Sequence, residues 1–411
     1  MARQYGDVVY LPAAGQQIYF FTHPDAVREV LVTQQHKFKK SRMLERARVL
    51  LGDGLLTSEG SLHLRQRRLV QPAFHRERMA GYGATMVQRA LAARGRWTDG
   101  NRIDMSAEMA RLTLDIVSRT LFSAEVEGEA DEIAAALNGV FGLFDMILLP
   151  FSEYWEKLPL PMMRRFHAAR ERLDATIYRL IAEHRASGVD KGDLLSMLLL
   201  AQDEEGGAGM PDKQVRDEAL TLFLAGHETT SNALTWAWYL LSQNPEAERR
   251  LHQEVDGAGP ASMESLPALR YTSAVFAEAL RLYPPAWAIG RRALEDVAVC
   301  GTLVPKGCVL LLSPYVTQHD ARWFPQPEQF LPERWLTEDE ARPKFSYFPF
   351  GGGARVCIGE RFALAEGALL LAAIAQKWAF ALAPGQRVEH KAQITLRPKY
   401  GMQMTPRLRH I

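Results

Sequence analysis

The chain has 411 residues, 47% of them hydrophobic and 24% charged, with 49 Lys and Arg against 48 Asp and Glu. That length holds one large domain or two to three ordinary ones, with enough apolar residues for a sizeable core. A net charge of +1 offers no overall basic field for nucleic acid, and three cysteines are too few for a disulfide framework in a chain this long.

MARQYGDVVYLP, at the N-terminus, lacks the cationic, apolar and small-residue succession of a signal peptide. VVYL and QIYFF flank AAGQ and read as an opening hairpin. A helix is expected to start at Pro24–Asp25 and run through AVREVLV. Helical periodicity then prevails from about residue 60 to 250, with one loop-like insertion, DEEGGAGMPD, at residues 203–212. Strand-like pieces return at DVAVCG, TLVP and CVLLLS, each closed by Gly or Pro turns, and again at QITLRP and YGMQMTP. The apolar stretch GALLLAAIA near residue 370 falls short of the roughly 18 residues that span a bilayer. There is no internal repeat, low-complexity tract or long linker. The expectation is a single, mainly α domain with a small β-rich lobe, cytoplasmic, without a transmembrane anchor, and in a reducing compartment.

Pro211 and Pro245 bracket 33 residues, about 50 Å if helical throughout. The flanks of this segment, ALTLFLAG and ALTWAWYLL, are apolar, so it should be largely buried. In its middle stand His227, Glu228, Thr229, Thr230, Ser231 and Asn232. Buried polar groups are costly unless partnered, and Gly226 beside them weakens the helix by about 1 kcal/mol. A polar face turned to water would explain the run. An acid next to an alcohol beside a loosened backbone could equally hold water and relay protons.

In YTSAVFAEALRLYPP, Glu278 and Arg281 are three apart on one helix face, and Pro284 ends the helix. Surface helices carry such pairs commonly. Here Val275, Phe276, Ala279 and Leu282 surround Glu278, which makes a buried pair that needs further partners; Arg334 in FLPERW is the candidate.

FPFGGGARVCIGERFALAEG places Cys357 after three glycines and an arginine, where a helix begins. A helix N-terminus with nearby arginine lowers a cysteine pKa, and the thiolate is the metal-binding form. Gly351 to Gly353 and Gly359 would let the backbone approach the sulfur and a flat ligand closely. One thiolate cannot build a structural zinc site or an iron–sulfur cluster, but it can fill one axial position of haem iron. An inert buried cysteine explains neither the glycines nor the arginine. A nucleophilic cysteine is the second possibility, though no His/Asn partner pattern accompanies it.

FPFGGGARVCIG resembles the haem-thiolate signature of the cytochrome P-450 monooxygenases, F-x-x-G-x-R-x-C-x-G. AGHETT resembles their oxygen-activation stretch and EALR their E-x-x-R helix. PERW resembles their P-E-R-F element, with Trp335 in place of the usual Phe. The four stand in the family's order, and the likeness covers nearly the whole chain, residues 1–411 as one haem domain. It implies a β-containing N-terminal part (about 1–60), a helical body (about 60–285) and a β-rich part with the thiolate loop (about 286–411). The implied fold is mainly α with a small β-rich lobe and a long central helix across the haem.

Carried over by this resemblance, Cys357 is the axial thiolate to haem b, with Phe350, Gly351 and Gly359 in its loop. Glu228 and Thr229 deliver protons to dioxygen. Glu278, Arg281 and Arg334 form a structural triad. Arg355, His63 and Arg67 of HLRQRR, and Arg291 (or its neighbour Arg292) contact haem propionates, and Ala225 adjoins the haem. The substrate pocket would be lined by Ala225, Ala286, Trp287, Ile289, Thr395 and Leu396.

The family usually carries a proline-rich lead and another helix before YGDVV, and this chain starts almost at that strand, trimmed or with a reduced N-terminal lobe. Only about fifty residues follow Cys357, so no reductase is fused, and electrons are expected from a ferredoxin or flavodoxin with its reductase. EALRLYPPAW, LSPYVTQ and QITLRP resemble the thermophilic bacterial carotenoid hydroxylases within the family, and bacterial fatty-acid hydroxylases share much of that pattern. Residues 141–166, rich in aromatics, Met and Leu, are expected to form a lid over the substrate channel. The expected function is insertion of one oxygen atom of O2 into a C–H or C=C bond of a large apolar substrate, such as a carotenoid, terpenoid or fatty acid, by a monomer. A peroxide-driven peroxygenase is the alternative, which an intact Glu228–Thr229 argues against; a haem sensor or carrier would need no proton relay. Arg65, Arg68, Arg76, Arg78 and Arg361 would make a basic docking face for an acidic donor if the fold brings their two segments together.

Overall fold

The computed structural model describes residues 2–13, 15–123, 161–201, 209–337 and 342–409. Most of the expected lid, 141–166, and most of the insertion at 203–212 lie outside them. The chain forms two compact units that do not follow chain order. One comprises residues 1–39, 79–113 and 228–411, the other 40–78 and 114–227.

In the first unit, β1 (Val8–Ala13) and β2 (Gln16–Phe21) pair antiparallel from Val8↔Phe21 to Ala13↔Gln16, the hairpin read from the sequence. β2 runs parallel to β8 (Val309–Leu312), which pairs antiparallel with β5 (Ile289–Ala293); β3 (Phe38–Lys40) closes the order β1-β2-β8-β5-β3. Phe21, Leu310, Leu312 and Phe348 pack a core under this sheet with Val27, Val30 and Leu31. The helix expected through AVREVLV is α-helical only over Pro24–Arg28, then widens to a π-turn at Glu29–Thr33. β6 (Val297–Val299) and β7 (Thr302–Val304) form a hairpin whose two turn residues, Cys300 and Gly301, both have positive φ, matching the strand twist. QITLRP is strand only at its end. β10 (His390–Ala392) and β11 (Leu396–Pro398) pair across a turn at residues 393–395. β12 (Gln403–Leu408) lies between β4 (Ile103–Asp104) and β9 (Trp378–Leu382).

The helix Arg270–Leu282 packs on Glu360–Ala375, and Gly367 makes the approach possible: a Cβ there would stand 2.3 Å from the Phe276 ring. Glu360–Ala375 is buried almost all round, as its apolar sequence predicts.

The second unit holds the helices Gly60–Val70, Pro161–Ser187 and Leu194–Leu200. Arg216, buried, is bound by Asp174 (2.7 Å), Asp217 (2.9 Å) and the Leu50 carbonyl (3.1 Å). His184 has Leu180 O at 2.9 Å from Nδ1 and Asp193 Oδ2 at 2.8 Å from Nε2.

Among the described residues, the helices Arg76–Gly95, Met105–Phe122 and Asp212–Gln243 each have residues in both units. Asp212–Gln243 spans 32 residues, ending where Asn244 precedes Pro245 and leaves the helical region (φ −130°, ψ 80°). It is buried from Val215 to Leu224 and from Thr230 to Trp238, and opens between these stretches over Ala225–Thr229. The backbone expected to loosen at Gly226 stays helical. Instead, the glycine makes room for Val117, which would stand 3.0 Å from a Cβ.

Candidate active site

Each member of the polar run on the central helix has a distinct destination. Glu228 and Thr229 lie in the open window, half-buried. Thr230 and Ser231 are buried; Ser231 Oγ donates back to the Glu228 carbonyl at 3.0 Å. Asn232 Nδ2 donates to Thr395 Oγ (3.1 Å), and that hydroxyl donates to Glu228 Oε1 (2.6 Å). Burial raises the Glu228 pKa above the usual range, against the Thr395 hydrogen bond and the Arg397 charge, which both lower it.

The cysteine loop is rigid by construction. Gly351 N donates to Phe348 O (3.0 Å), Val356 N to Gly353 O (3.1 Å) and Cys357 N to Phe350 O (2.9 Å). Gly353 has φ +69°, and a Cβ on it would stand 1.8 Å from the Leu31 carbonyl oxygen. A Cβ on Gly352 would meet the Phe345 ring at 2.6 Å. Two of the three glycines therefore serve the approach of the loop to the Glu29–Thr33 turn and to Phe345. Gln35 Oε1 accepts from Ala354 N at 2.9 Å and fastens the same junction.

Cys357 is exposed at the tip of this loop. The other thiols are held neutral: burial raises the pKa of both, helped by Glu29 beside Cys300 and Asp296 near Cys308. Among the described residues no group of three or more His, Cys, Asp or Glu could hold a metal ion. One exposed thiol in a rigid loop fits a metal that brings its other ligands with it, as haem iron does.

Glu278 and Arg281 are both fully buried and bidentate, Nε to Oε2 at 2.9 Å and Nη2 to Oε1 at 2.8 Å. Arg334 Nε and Leu331 N both donate to Glu278 Oε1, at 3.3 and 3.1 Å. Trp335, where the family usually has Phe, donates its indole N–H to Oε2 at 2.8 Å. The remaining Arg281 donors go to the carbonyls of Gln318, Pro327 and Gln329. Gln318, also fully buried, had no signal in the sequence. Its amide donates to the Leu280 and Arg281 carbonyls and accepts from Phe348 N (3.1 Å), tying the Glu278 helix to the segment that leads into the cysteine loop.

The other expected residues are placed as follows. His63 is buried and Arg67 half-buried, one turn apart on Gly60–Val70 in the second unit. Arg291 on β5, Arg355 in the short turn Gly353–Arg355 and Phe350 are half-buried in the first unit. Ala225 and Ala286 are exposed, Trp287 and Ile289 half-buried, Thr395 and Leu396 buried. Trp287 Nε1 donates to Gln393 O (2.8 Å), Leu396 N to Pro285 O (3.0 Å) and Trp236 Nε1 to Leu396 O (3.1 Å). Of the basic residues considered for docking, Arg78 is drawn into an ion pair with Asp190 (2.6 Å) within the second unit, and Arg361 is exposed in the first.

The family profile described as "Cytochrome P450" matches residues 1–405. The chain belongs to the cytochrome P450 family. It is 42% identical to cyclooctatin synthase of Streptomyces melanosporofaciens over 95% of this chain and 87% of that protein. To cyclooctat-9-en-7-ol 5-monooxygenase of the same organism it is 40% identical, over 93% and 84%. To pentalenene oxygenase of Streptomyces avermitilis it is 36% identical, over 95% and 88%. Among solved structures, a cyanobacterial cytochrome P450 with bound retinoic acid superposes with a TM-score of 0.90 at 27% identity, covering 99% of this chain and 93% of that one. This P450 is a monooxygenase, a haem-dependent oxidoreductase. No helix among the described residues is long and apolar enough to cross a membrane.

Proposed function

We propose that this P450 hydroxylates a polycyclic terpenoid, with haem b as its cofactor and electrons from a separate ferredoxin or flavodoxin, in the cytoplasm. The observation that carries the substrate class is the high identity, over nearly the full length, to three relatives named for cyclooctatin, cyclooctat-9-en-7-ol and pentalenene. The carotenoid and fatty-acid alternatives have no comparable support.

In this reading Cys357 would supply the thiolate that holds the haem iron, and Arg291 and Arg355 would be the cations for the haem carboxylates. When bound, haem supplies the activation of dioxygen. Burial raises the Glu228 pKa, which suits a carboxyl that delivers protons, and Thr229, next to it in the window at Ala225–Thr229, would pass them on. Ala286, Trp287 and Ile289 present apolar surface suited to a hydrocarbon skeleton.

The test is a titration of haem-loaded protein with a cyclic diterpene alcohol, a sesquiterpene hydrocarbon, a carotenoid and a long-chain fatty acid, followed by the Soret band. We expect the cyclic terpenoids to shift it and, with a redox chain and labelled dioxygen, to yield a product carrying one labelled oxygen. A shift and product with the carotenoid or fatty acid alone would overturn the substrate class.

A further inference from the structure

Thr395, which the family resemblance places in the substrate pocket, has its hydroxyl engaged by two side chains of the central helix. It is 5% exposed, and its hydroxyl stands between Asn232 and Glu228. Asn232 and Glu228 are four apart, one above the other on a single face of the central helix, so both reach one oxygen. The amide nitrogen of Asn232 can only donate. The Thr395 proton is therefore free to point along the remaining direction, to Glu228 Oε1 at 2.6 Å. This sets the polarity of a chain from Asn232 through Thr395 to Glu228.

The turn that carries Thr395 is itself held. Gln393 N donates to Thr395 O (3.2 Å), Leu396 N to Pro285 O, Trp287 to the Gln393 carbonyl and Trp236, from the central helix, to the Leu396 carbonyl. A hydroxyl on so constrained a backbone fixes a carboxyl better than one on a free loop. The other group acting on Glu228 is the Arg397 charge, two residues along on β11, which favours the ionised form.

We propose that Thr395 is the positioning residue for Glu228, holding its carboxyl in one orientation and coupling the turn at residues 393–395 to the proton-handling group of the central helix. The proposal rests on the reading of Glu228 as that group. With the hydroxyl present, Glu228 gives up its proton more readily and in a set direction. Without it, the carboxyl keeps its proton to higher pH and is free to rotate into the open window.

The experiment compares haem-loaded wild type with Glu228→Gln, Thr395→Val, Thr395→Ala and Thr395→Ser. Two quantities are read: the infrared carboxyl band that Glu228→Gln abolishes, titrated against pH, and hydroxylated product per NADPH consumed. Thr395→Val and Thr395→Ala should raise the Glu228 titration midpoint by about one pH unit and lower product per NADPH severalfold, and Thr395→Ser should restore both. A residue that only lined the pocket would change substrate affinity and leave the carboxyl band unmoved, which would overturn the proposal. If Glu228→Gln uncouples while Thr395→Val and Thr395→Ala match wild type, the role of Thr395 fails and that of Glu228 stands. If Glu228→Gln itself leaves coupling unchanged, the reading of Glu228 fails, and the proposal with it.

Discussion

Two glutamates in the first unit are equally buried, at 0% exposure, and are given opposite surroundings. Glu278 accepts from Arg281 through two nitrogens, from Arg334, from Trp335 and from the Leu331 backbone. Glu366, on the helix that follows Cys357, receives no such set of donors among the described residues: the nearby Thr230 hydroxyl favours its ionised form but is outweighed by burial. Burial pushes its pKa up to about 8. Glu218, in the second unit, is an intermediate case: Leu55 N donates to one oxygen at 2.8 Å, the other has no partner among the described residues, and burial again pushes the pKa up to about 8. Burial alone does not decide whether a carboxyl carries charge inside a protein. The donors delivered to it do.

The comparison breaks most sharply at Glu278. Replacing it by Ala leaves Arg281 and Arg334 without their carboxylate, at a cost of about 3–5 kcal/mol. Little or no haem-loaded protein should be recovered; normal haem content per purified chain would show the network to be dispensable.

Glu366→Gln tests the other side. The native pKa of about 8 lies above the ordinary carboxylate value of 4.5, so the folded chain keeps a proton that the unfolded chain releases. The wild type is therefore fully stable, as far as this group goes, below about pH 4.5, and loses stability as pH rises toward 8. Glutamine does not titrate. Between pH 5 and 7 the wild type should lose roughly 2–3 kcal/mol relative to Glu366→Gln, read as diverging denaturation midpoints. Parallel pH profiles would mean that Glu366 finds a partner that keeps it charged.

The smallest effect is expected at Trp335. Trp335→Phe removes one of the donors to Glu278 while Arg281 still holds the same oxygen, so a loss of about 1 kcal/mol follows. Denaturant unfolding checks it, and an unchanged midpoint would show the indole N–H to be redundant.

Part of this was legible in the chain and part was not. The spacing of Glu278 and Arg281 places both on one helix face, and the apolar residues around them announce burial. Nothing local says that Gln318 would seal the same network, or that Trp335 would turn its N–H inward, because those partners come from 37 and 57 residues away. The glycines before Cys357 were recognisable as demanding close approach. That they approach Leu31 and Phe345 could not be read, since the neighbours are set by packing and not by the loop. Glu366 carries no local signal beyond its place beside the apolar stretch GALLLAAIA.

Periodicity, prolines and turn residues act over a few residues, and they suffice to place the β1–β2 hairpin, the central helix with its polar window and the thiolate loop ahead of its helix. Those are statements about which backbone hydrogen bonds a short stretch can make with itself. The charge states and the partners of the buried polar groups depend on atoms far apart in the chain: Thr395 meets Glu228 across 167 residues, and Asn232 across 163. A side-chain hydrogen bond about 3 Å long is decided by which elements pack together and at what angle, and that is settled only when the apolar faces of those elements close on one another.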